Sequence, residues 1–134
     1  MRYLLDVNAL VAAGFLEHEQ HQRTVAWLRT LSESRDNELL TCSITELGFV
    51  RVMAQATHYG FTVLQAKTLL VRLKNSKVLR FGFLSDDQDI SHLPAWAKSP
   101  KQTTDAHLAE LARSHGAILA SLDRGIPGVF LIPG

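Results

Sequence analysis

The chain has 134 residues, of which 46% are hydrophobic and 20% are charged, and this composition excludes a wholly disordered protein. The single cysteine excludes an internal disulfide and a cysteine-based zinc site, and a formal net charge of +1 points to no particular partner. The length predicts one domain over residues 1–134.

The predicted elements alternate between apolar strands and helices. In chain order they are a strand at 2–5, a helix at 18–31, a strand at 38–42, helices at 43–55 and 62–74, and a strand at 78–84. A polar, proline-marked loop at 86–100, with room for one helical turn, precedes a helix at 104–115 and strands at 117–122 and 129–132. Because the strands are continuously apolar and separated by helices, they predict an α/β fold whose mainly parallel sheet is covered on both faces.

Two features of the sequence concern the location of the protein. No apolar run approaches the roughly 18 residues that a membrane-spanning helix needs. Asp6 places a carboxylate where a secretory signal peptide needs an apolar run. We therefore expect a cytoplasmic protein that does not bind a membrane.

Charge is unevenly distributed along the chain. Residues 47–85 contain no acidic side chain but six basic ones, namely Arg51, Lys67, Arg72, Lys74, Lys77 and Arg80. A segment of one charge sign is typical of a surface that faces a polyanion, and equally of a solvated helix face. Both interpretations remain open from charge alone.

Four carboxylates stand beside the ends of predicted elements. Asp6 and Asp123 each follow a buried strand, Asp105 opens a late helix, and Glu46 lies in the first turn of the helix after the second strand. The carboxyl ends of parallel strands meet at one edge of a sheet, where chemistry collects in α/β folds. We therefore expect the four side chains to converge there, and an oxygen-only site of this kind suits Mg²⁺ or Mn²⁺.

Each acid also has a purely structural interpretation. Ser43 and Glu46 have the spacing of a capping box with Glu46 at the third helical position, and Asp105 or Asp6 can each be the N-cap of a helix. Asp123 can simply belong to a turn. Caps alone do not explain why carboxylates close two separate core strands on the same side of the sheet.

The segments that carry these acids resemble a known family. They are LLDVNAL at 4–10, TELGFVR at 45–51, TTDA at 103–106 and SLDRGI at 121–126. In this order they look like the successive motifs of the PIN-domain ribonucleases, and above all of the VapC-type toxins of bacterial toxin–antitoxin modules. The resemblance runs from residue 2 to residue 132, nearly the whole chain.

The resemblance implies a fold and an activity. The fold is a PIN-like three-layer sandwich, and the activity is a metal-dependent endoribonuclease that hydrolyses RNA phosphodiester bonds to leave a 3′-hydroxyl and a 5′-phosphate. The family's acidic cluster corresponds to Asp6, Glu46, Asp105 and Asp123, with Mg²⁺ as the cofactor and Mn²⁺ as its substitute. We expect Asp6 and Asp105 to be direct ligands.

Several neighbouring residues also match the family's motifs or depart from them. Asn8 matches a polar residue that assists near the first aspartate, and Ser121 stands where many relatives have threonine. His107 departs from the tyrosine that is frequent at its position, so no role is carried over to it. Arg124 and Arg51 follow motif acids and can contact RNA phosphates, although surface ion pairs explain them as well.

The resemblance further implies partners. A VapC-type toxin is neutralised by a small VapB-like antitoxin, so we expect a hetero-oligomer with an antitoxin and a homodimer of this chain. Exposed apolar surface on the helices at 43–55 and 62–74 would suit an amphipathic antitoxin helix. The alternatives are a housekeeping PIN nuclease that has no antitoxin, and a non-catalytic α/β binding module whose acids only cap helices.

Overall fold

Five parallel strands form the centre of the fold, and the computed structural model describes all 134 residues. The strands are β1 (Arg2–Leu5), β2 (Glu38–Cys42), β3 (Phe81–Leu84), β4 (Ile118–Ser121) and β5 (Phe130–Leu131). The helices are α1 (Val7–Gly14), α2 (His21–Leu31), α3 (Ser43–Gln55), α4 (Val63–Lys74) and α5 (Thr103–Ser114). Short 3₁₀ turns lie at Ile90–His92 and Pro100–Gln102. The strand order is β3-β2-β1-β4-β5, and every pairing is parallel.

The sheet separates two apolar layers, which confirms the predicted α/β sandwich. Successive side chains of a strand point to opposite faces. In β1, Tyr3 and Leu5 join the core formed with helices α1 to α4, while Leu4 joins the core beneath α5. With both faces covered, the strands are mostly apolar on both sides, as in RYLL, ELLTC and ILAS, where leucine, isoleucine and alanine predominate. No helix is both long enough and apolar enough to cross a bilayer.

Helix α1 is the element that periodicity does not reveal. Its residues 9–12 are all buried, so the helix has no polar face from which a period of 3.6 could be read. Asp6 fixes its start, because the Asp6 carboxylate accepts a hydrogen bond from the Ala9 N–H at 2.8 Å. The capping interpretation of Asp6 is therefore confirmed.

Two predicted boundaries are wrong, and a third differs only in counting the capping residue. The helix predicted from residue 18 begins at His21, because His18 Nδ1 accepts the Gln20 N–H at 2.9 Å and holds a turn there. The strand predicted from residue 78 begins at Phe81, because Ser76 Oγ accepts the N–H groups of residues 78 and 79 at 3.2 Å. The helix predicted from residue 62 begins at Val63, with Thr62 as its N-cap. The other boundaries agree within two residues.

The topology places a crevice between β1 and β4. From β1 the chain adds β2 and then β3 on one side, and it later adds β4 and β5 on the other side. The strand order therefore reverses between β1 and β4, and ligands of open parallel sheets bind at such a reversal, beyond the carboxyl ends of the strands. Asp6 directly follows β1, and Asp123 lies two residues after β4.

The close contact of α1 with α3 gives a test of the packing. A Cβ atom added at Gly48 would collide with Cγ2 of Val7, a β-branched side chain with little rotamer freedom. We expect Gly48→Ala to lower the free energy of unfolding by about 1–2 kcal/mol, despite the better helix propensity of alanine. The measurement is urea unfolding, and Val7→Ala in the same chain should restore at least half of the loss. Unchanged stability of Gly48→Ala would show that α1 and α3 are less closely packed than described.

Candidate active site

Three of the four predicted acids converge at the crevice. Asp6 is only 5% exposed, Asp105 is half-buried in the first turn of α5, and Asp123 is exposed after β4. Besides burial, which is the largest cause in each case, the charges of Asp105 and Asp123 raise the pKa of Asp6, and the charge of Asp123 raises the pKa of Asp105. The structure therefore brings together the acids of both strand ends and of α5.

Asp6 is the most perturbed member of this group. Burial is the largest cause and raises its pKa to about 6, opposed by the Ser121 hydroxyl and the Ala9 N–H and assisted by the two neighbouring aspartates. A carboxylate in this position is poorly hydrated and repelled by its neighbours. Such a group gains from a cation, or otherwise retains a proton near neutral pH.

Asp123 is held by hydrogen bonds in a turn, whereas the Asp105 side chain accepts none. Asp123 Oδ1 accepts the Gly125 N–H at 2.8 Å, and the Asp123 N–H donates to Ser121 Oγ at 2.9 Å, which confirms the predicted turn. The N-cap predicted for Asp105 is wrong, because α5 begins two residues earlier and places Asp105 at the third helical position. Asp105 thus has no hydrogen bond that would explain its presence as a cap.

Glu46, the fourth predicted acid, is paired within the chain. Its Oε2 accepts a hydrogen bond from Thr41 Oγ1 at 2.6 Å and forms an ion pair with Lys74 Nζ. Its charge is not among those that raise the pKa values of Asp6 and Asp105. Glu46 is therefore paired with α4 through one oxygen, and its approach to the common edge stays a prediction for the other oxygen.

The capping box predicted for Glu46 is also wrong. Strand β2 leads directly into α3, so Cys42 is the N-cap and Ser43 is already helical. The third helical position is Thr45, whose hydroxyl accepts the Cys42 N–H at 3.0 Å. This shift of one residue frees Glu46 from capping and turns its side chain toward Thr41 and Lys74.

Asp123 and Glu46 can each keep a structural hydrogen bond and still offer an oxygen to a ligand. Asp123 uses only Oδ1 in its turn, and Glu46 uses only Oε2 in its pairing, so one oxygen of each accepts no hydrogen bond from the protein. A set of aspartate oxygens that repel one another fits a hard divalent cation such as Mg²⁺. No group of three or more His, Cys, Asp or Glu side chains is already spaced to hold a metal ion, so the aspartates must draw closer to bind one together.

The remaining predicted residues surround this centre. Asn8 is exposed and lines a shallow depression shared with His18 and Asp123. Arg51 and Arg124 are exposed and form no ion pair within the chain, so the ion-pair explanation does not apply to them.

Three residues near the site have roles that the sequence did not reveal. Thr41 and Lys74 both bind Glu46, and Lys74 is 28 residues away from it along the chain. His107 Nε2 lies 2.5 Å from Asp86 and ties the loop after β3 to α5, and this contact lowers the pKa of Asp86 although burial opposes the shift. Only the position of Lys74, in the last turn of a helix in the acid-free segment, hinted at a role.

Comparison with known proteins agrees with this geometry. The family model described as "PIN domain" matches residues 3–129. The chain is 34% identical to Ribonuclease VapC44 of Mycobacterium tuberculosis over 139 aligned positions, which cover 100% of this chain and 94% of the relative. It is 35% identical to Ribonuclease VapC38 of the same organism, over 92% of this chain and 86% of the relative.

A solved structure supports the fold independently of close sequence similarity. It is that of Mycobacterium tuberculosis VapC20, described as a Sarcin-Ricin loop cleaving toxin, with a TM-score of 0.65 at 12% identity over 98% of this chain and 99% of that one. At this identity the likeness concerns the fold alone. Together with the family match and the full-length relatives, it shows that the chain belongs to the PIN-domain family, among its VapC-type ribonucleases.

Proposed function

We propose that this protein is a Mg²⁺- or Mn²⁺-dependent endoribonuclease formed by a single PIN domain, and that it is the toxin of a toxin–antitoxin module. The observation that carries the proposal is the convergence of Asp6, Asp105 and Asp123 at the strand-order reversal of a PIN fold. Burial, together with the charges of Asp105 and Asp123, raises the pKa of Asp6 and makes its ionised form costly in the metal-free protein, so a binding function accounts for the convergence. A module whose acids only cap helices would not need Asp105.

The three aspartates would hold the metal. When bound, a divalent ion supplies Lewis-acid chemistry, since it activates water and stabilises charge on the scissile phosphate. Asp6 must give up its proton for this, and the Ser121 hydroxyl and the Ala9 N–H favour its ionised form. Ser121 also bonds to the backbone of Asp123, so one buried hydroxyl acts on two of the acids.

The other predicted residues would serve the substrate. Arg124 and Arg51 are exposed cations without ion pairs, so they are free to contact RNA phosphates. Asn8 lies in the depression beside Asp123 and can bond to a sugar or phosphate oxygen there. Glu46 keeps one free oxygen and would act at the margin of the site.

Charge-removing substitutions test the assignment of the aspartates. Asp6→Asn keeps the shape and the capping ability of residue 6, because asparagine is as good an N-cap as aspartate. We expect Asp6→Asn and Asp105→Asn each to reduce metal-dependent RNA cleavage at least a hundredfold and to leave the metal-free melting temperature equal or slightly higher. The measurements are cleavage of a labelled RNA and thermal unfolding with and without Mn²⁺.

The matched control is Asp36→Asn, because Asp36 is an exposed loop aspartate whose side chain forms no ion pair. It should cleave RNA and gain stability from Mn²⁺ as the wild type does. The assignment is wrong if both site variants melt several degrees lower without metal and still cleave RNA, because the acids would then be structural.

The raised pKa of Asp6 predicts a dependence of stability on pH. Burial raises the pKa of the Asp6 carboxyl to about 6 in the folded chain, against 3.8 for an unperturbed aspartate, so the folded state binds more protons between these pH values. The metal-free protein should therefore lose stability as pH rises through about 4 to 6, by an amount on the order of 3 kcal/mol from this group.

The measurement is urea unfolding in EDTA from pH 4.5 to 7.5, with Asp6→Asn as the reference that lacks the group. The free energy of unfolding of the wild type should fall relative to that of the variant across this range. In a second series, with Mn²⁺ in place of EDTA, the stabilisation of the wild type by the ion should grow above pH 6, where Asp6 is ionised. A parallel pH dependence of the two proteins would contradict the buried, proton-retaining state of Asp6.

The proposed toxin role needs a partner that covers the site. Leu47 on α3 and Val63, Leu64 and Val71 on α4 are large apolar side chains that remain exposed. An amphipathic antitoxin helix fits such a surface, and an arginine of that partner could reach the aspartates and replace the charge of the metal. The predicted homodimer rests on the family resemblance, whereas the predicted cytoplasmic location rests on the sequence features described above.

Co-expression tests the partner. The chain should co-purify with the small protein encoded beside its gene, and this neighbour should relieve growth inhibition. Leu64→Glu should weaken the complex at least tenfold, because a charge would be buried against an apolar helix. Ile90→Glu, at an equally exposed apolar position in the loop after β3, is the control. A neighbour that neither binds nor protects would favour a housekeeping nuclease over a toxin.

A further inference from the structure

Phe83 is the one exposed aromatic side chain of the protein. It is 49% exposed, whereas every other Phe, Tyr and Trp is buried or half-buried. It lies next to the carboxyl end of β3, in register with Thr41 of β2. Strand β3 is two strand spacings from β1, so the ring lies about 10 Å along the same edge from the strand that leads to Asp6.

A cation accompanies this ring. Lys74 Nζ lies 5.4 Å from the centroid of Phe83 and also pairs with Glu46 Oε2. An ammonium group has three donors, and the pairing with Glu46 is the only hydrogen bond that Lys74 makes. Two donors are therefore free for an anion, on a side chain that Glu46 and Phe83 already hold in place.

The combination of ring and cation indicates the chemistry of the ligand. A flat apolar face next to a cation with free donors is complementary to a nucleotide, which has an aromatic base and an anionic phosphate. An apolar protein helix would complement the ring but would bury the two remaining donors of the Lys74 ammonium without acceptors, which is costly. Because β1, β2 and β3 are parallel neighbours, this surface lies along the same sheet edge as the proposed active site.

We propose that Phe83 and Lys74 form a nucleotide subsite, in which an unpaired base of the RNA stacks on Phe83 and a neighbouring phosphate binds Lys74. The proposal rests on the proposed ribonuclease function and specifies its substrate as RNA with at least one unstacked base beside the cleaved bond. Bases inside a duplex are stacked on one another and cannot cover the ring.

Binding of RNA by the metal-free protein in EDTA tests the subsite without requiring cleavage. The probes are a fluorescent single-stranded RNA, the same strand with abasic positions, and its duplex. Phe83→Leu should weaken binding of the intact single strand about tenfold, and Phe83→Trp should stay within about twofold of wild type. Ile90→Leu is the apolar control and should not change binding.

Salt dependence tests Lys74. The slope of log affinity against log salt should fall by about 1 in Lys74→Gln, because one phosphate contact is lost. Arg29→Gln removes a charge from the exposed face of α2 and should keep the wild-type slope. A wild-type slope in Lys74→Gln would overturn the phosphate contact.

Binding of the abasic strand tests the subsite even if a variant folds poorly, because this measurement uses the wild-type protein. The abasic strand should bind about tenfold more weakly than the intact strand, and equal binding would overturn the subsite. The subsite is also wrong if Phe83→Leu binds RNA like the wild type but no longer binds the antitoxin, because the ring would then be a protein contact. The outcomes stay distinct from the ribonuclease proposal: a wild type that neither binds nor cleaves RNA refutes that proposal, whereas RNA cleavage unaffected by Phe83→Leu refutes the subsite alone.

Discussion

Repulsion among the carboxylates at the reversal between β1 and β4 is the constraint on which the site depends. Asp6 is almost fully buried there, and its pKa of about 6 reflects burial first and the charges of Asp105 and Asp123 after it. The fold cannot relieve this repulsion, because β1 and β4 are adjacent central strands and their ends must meet. The cost is therefore built into the topology, and the proposed cation would remove it.

Two of the repelling carboxylates also accept backbone hydrogen bonds, which offset part of the cost of bringing them together. One oxygen of Asp6 caps α1 and one oxygen of Asp123 closes a turn, so the backbone orients the carboxylates before any ligand arrives. Glu46 is treated differently, since Lys74 neutralises it within the chain and leaves only three acids in mutual repulsion. The same lysine lies beside the exposed ring of Phe83. Lys74 therefore both neutralises Glu46 and belongs to the proposed RNA-binding subsite.

The sheet architecture and the position of the candidate site were predictable from the sequence. Continuous apolar strands between helices indicated the covered parallel sheet, and the carboxylates after the strands at 2–5 and 117–122 indicated where the aspartates converge. Helix α1 escaped detection because four successive residues, 9–12, are all buried and apolar, so no amphipathic period can be read from its sequence. The capping box predicted for Glu46 was wrong because β2 enters α3 without a loop, which shifts the cap by one residue. The ion pair of Glu46 was missed because its partner, Lys74, comes from a distant helix. Local patterns contain no information about such a long-range ion pair.

The most direct test of the central claim is the position of a divalent ion in a crystal of the protein grown or soaked with Mn²⁺. Anomalous scattering from Mn²⁺ locates the ion without assumptions about its ligands. The account predicts a peak in the crevice between β1 and β4, with oxygens of Asp6, Asp105 and Asp123 drawn in to coordinate the ion directly or through water. A peak at another site, such as the Asp86–His107 pair, with the three aspartates unchanged, would contradict it.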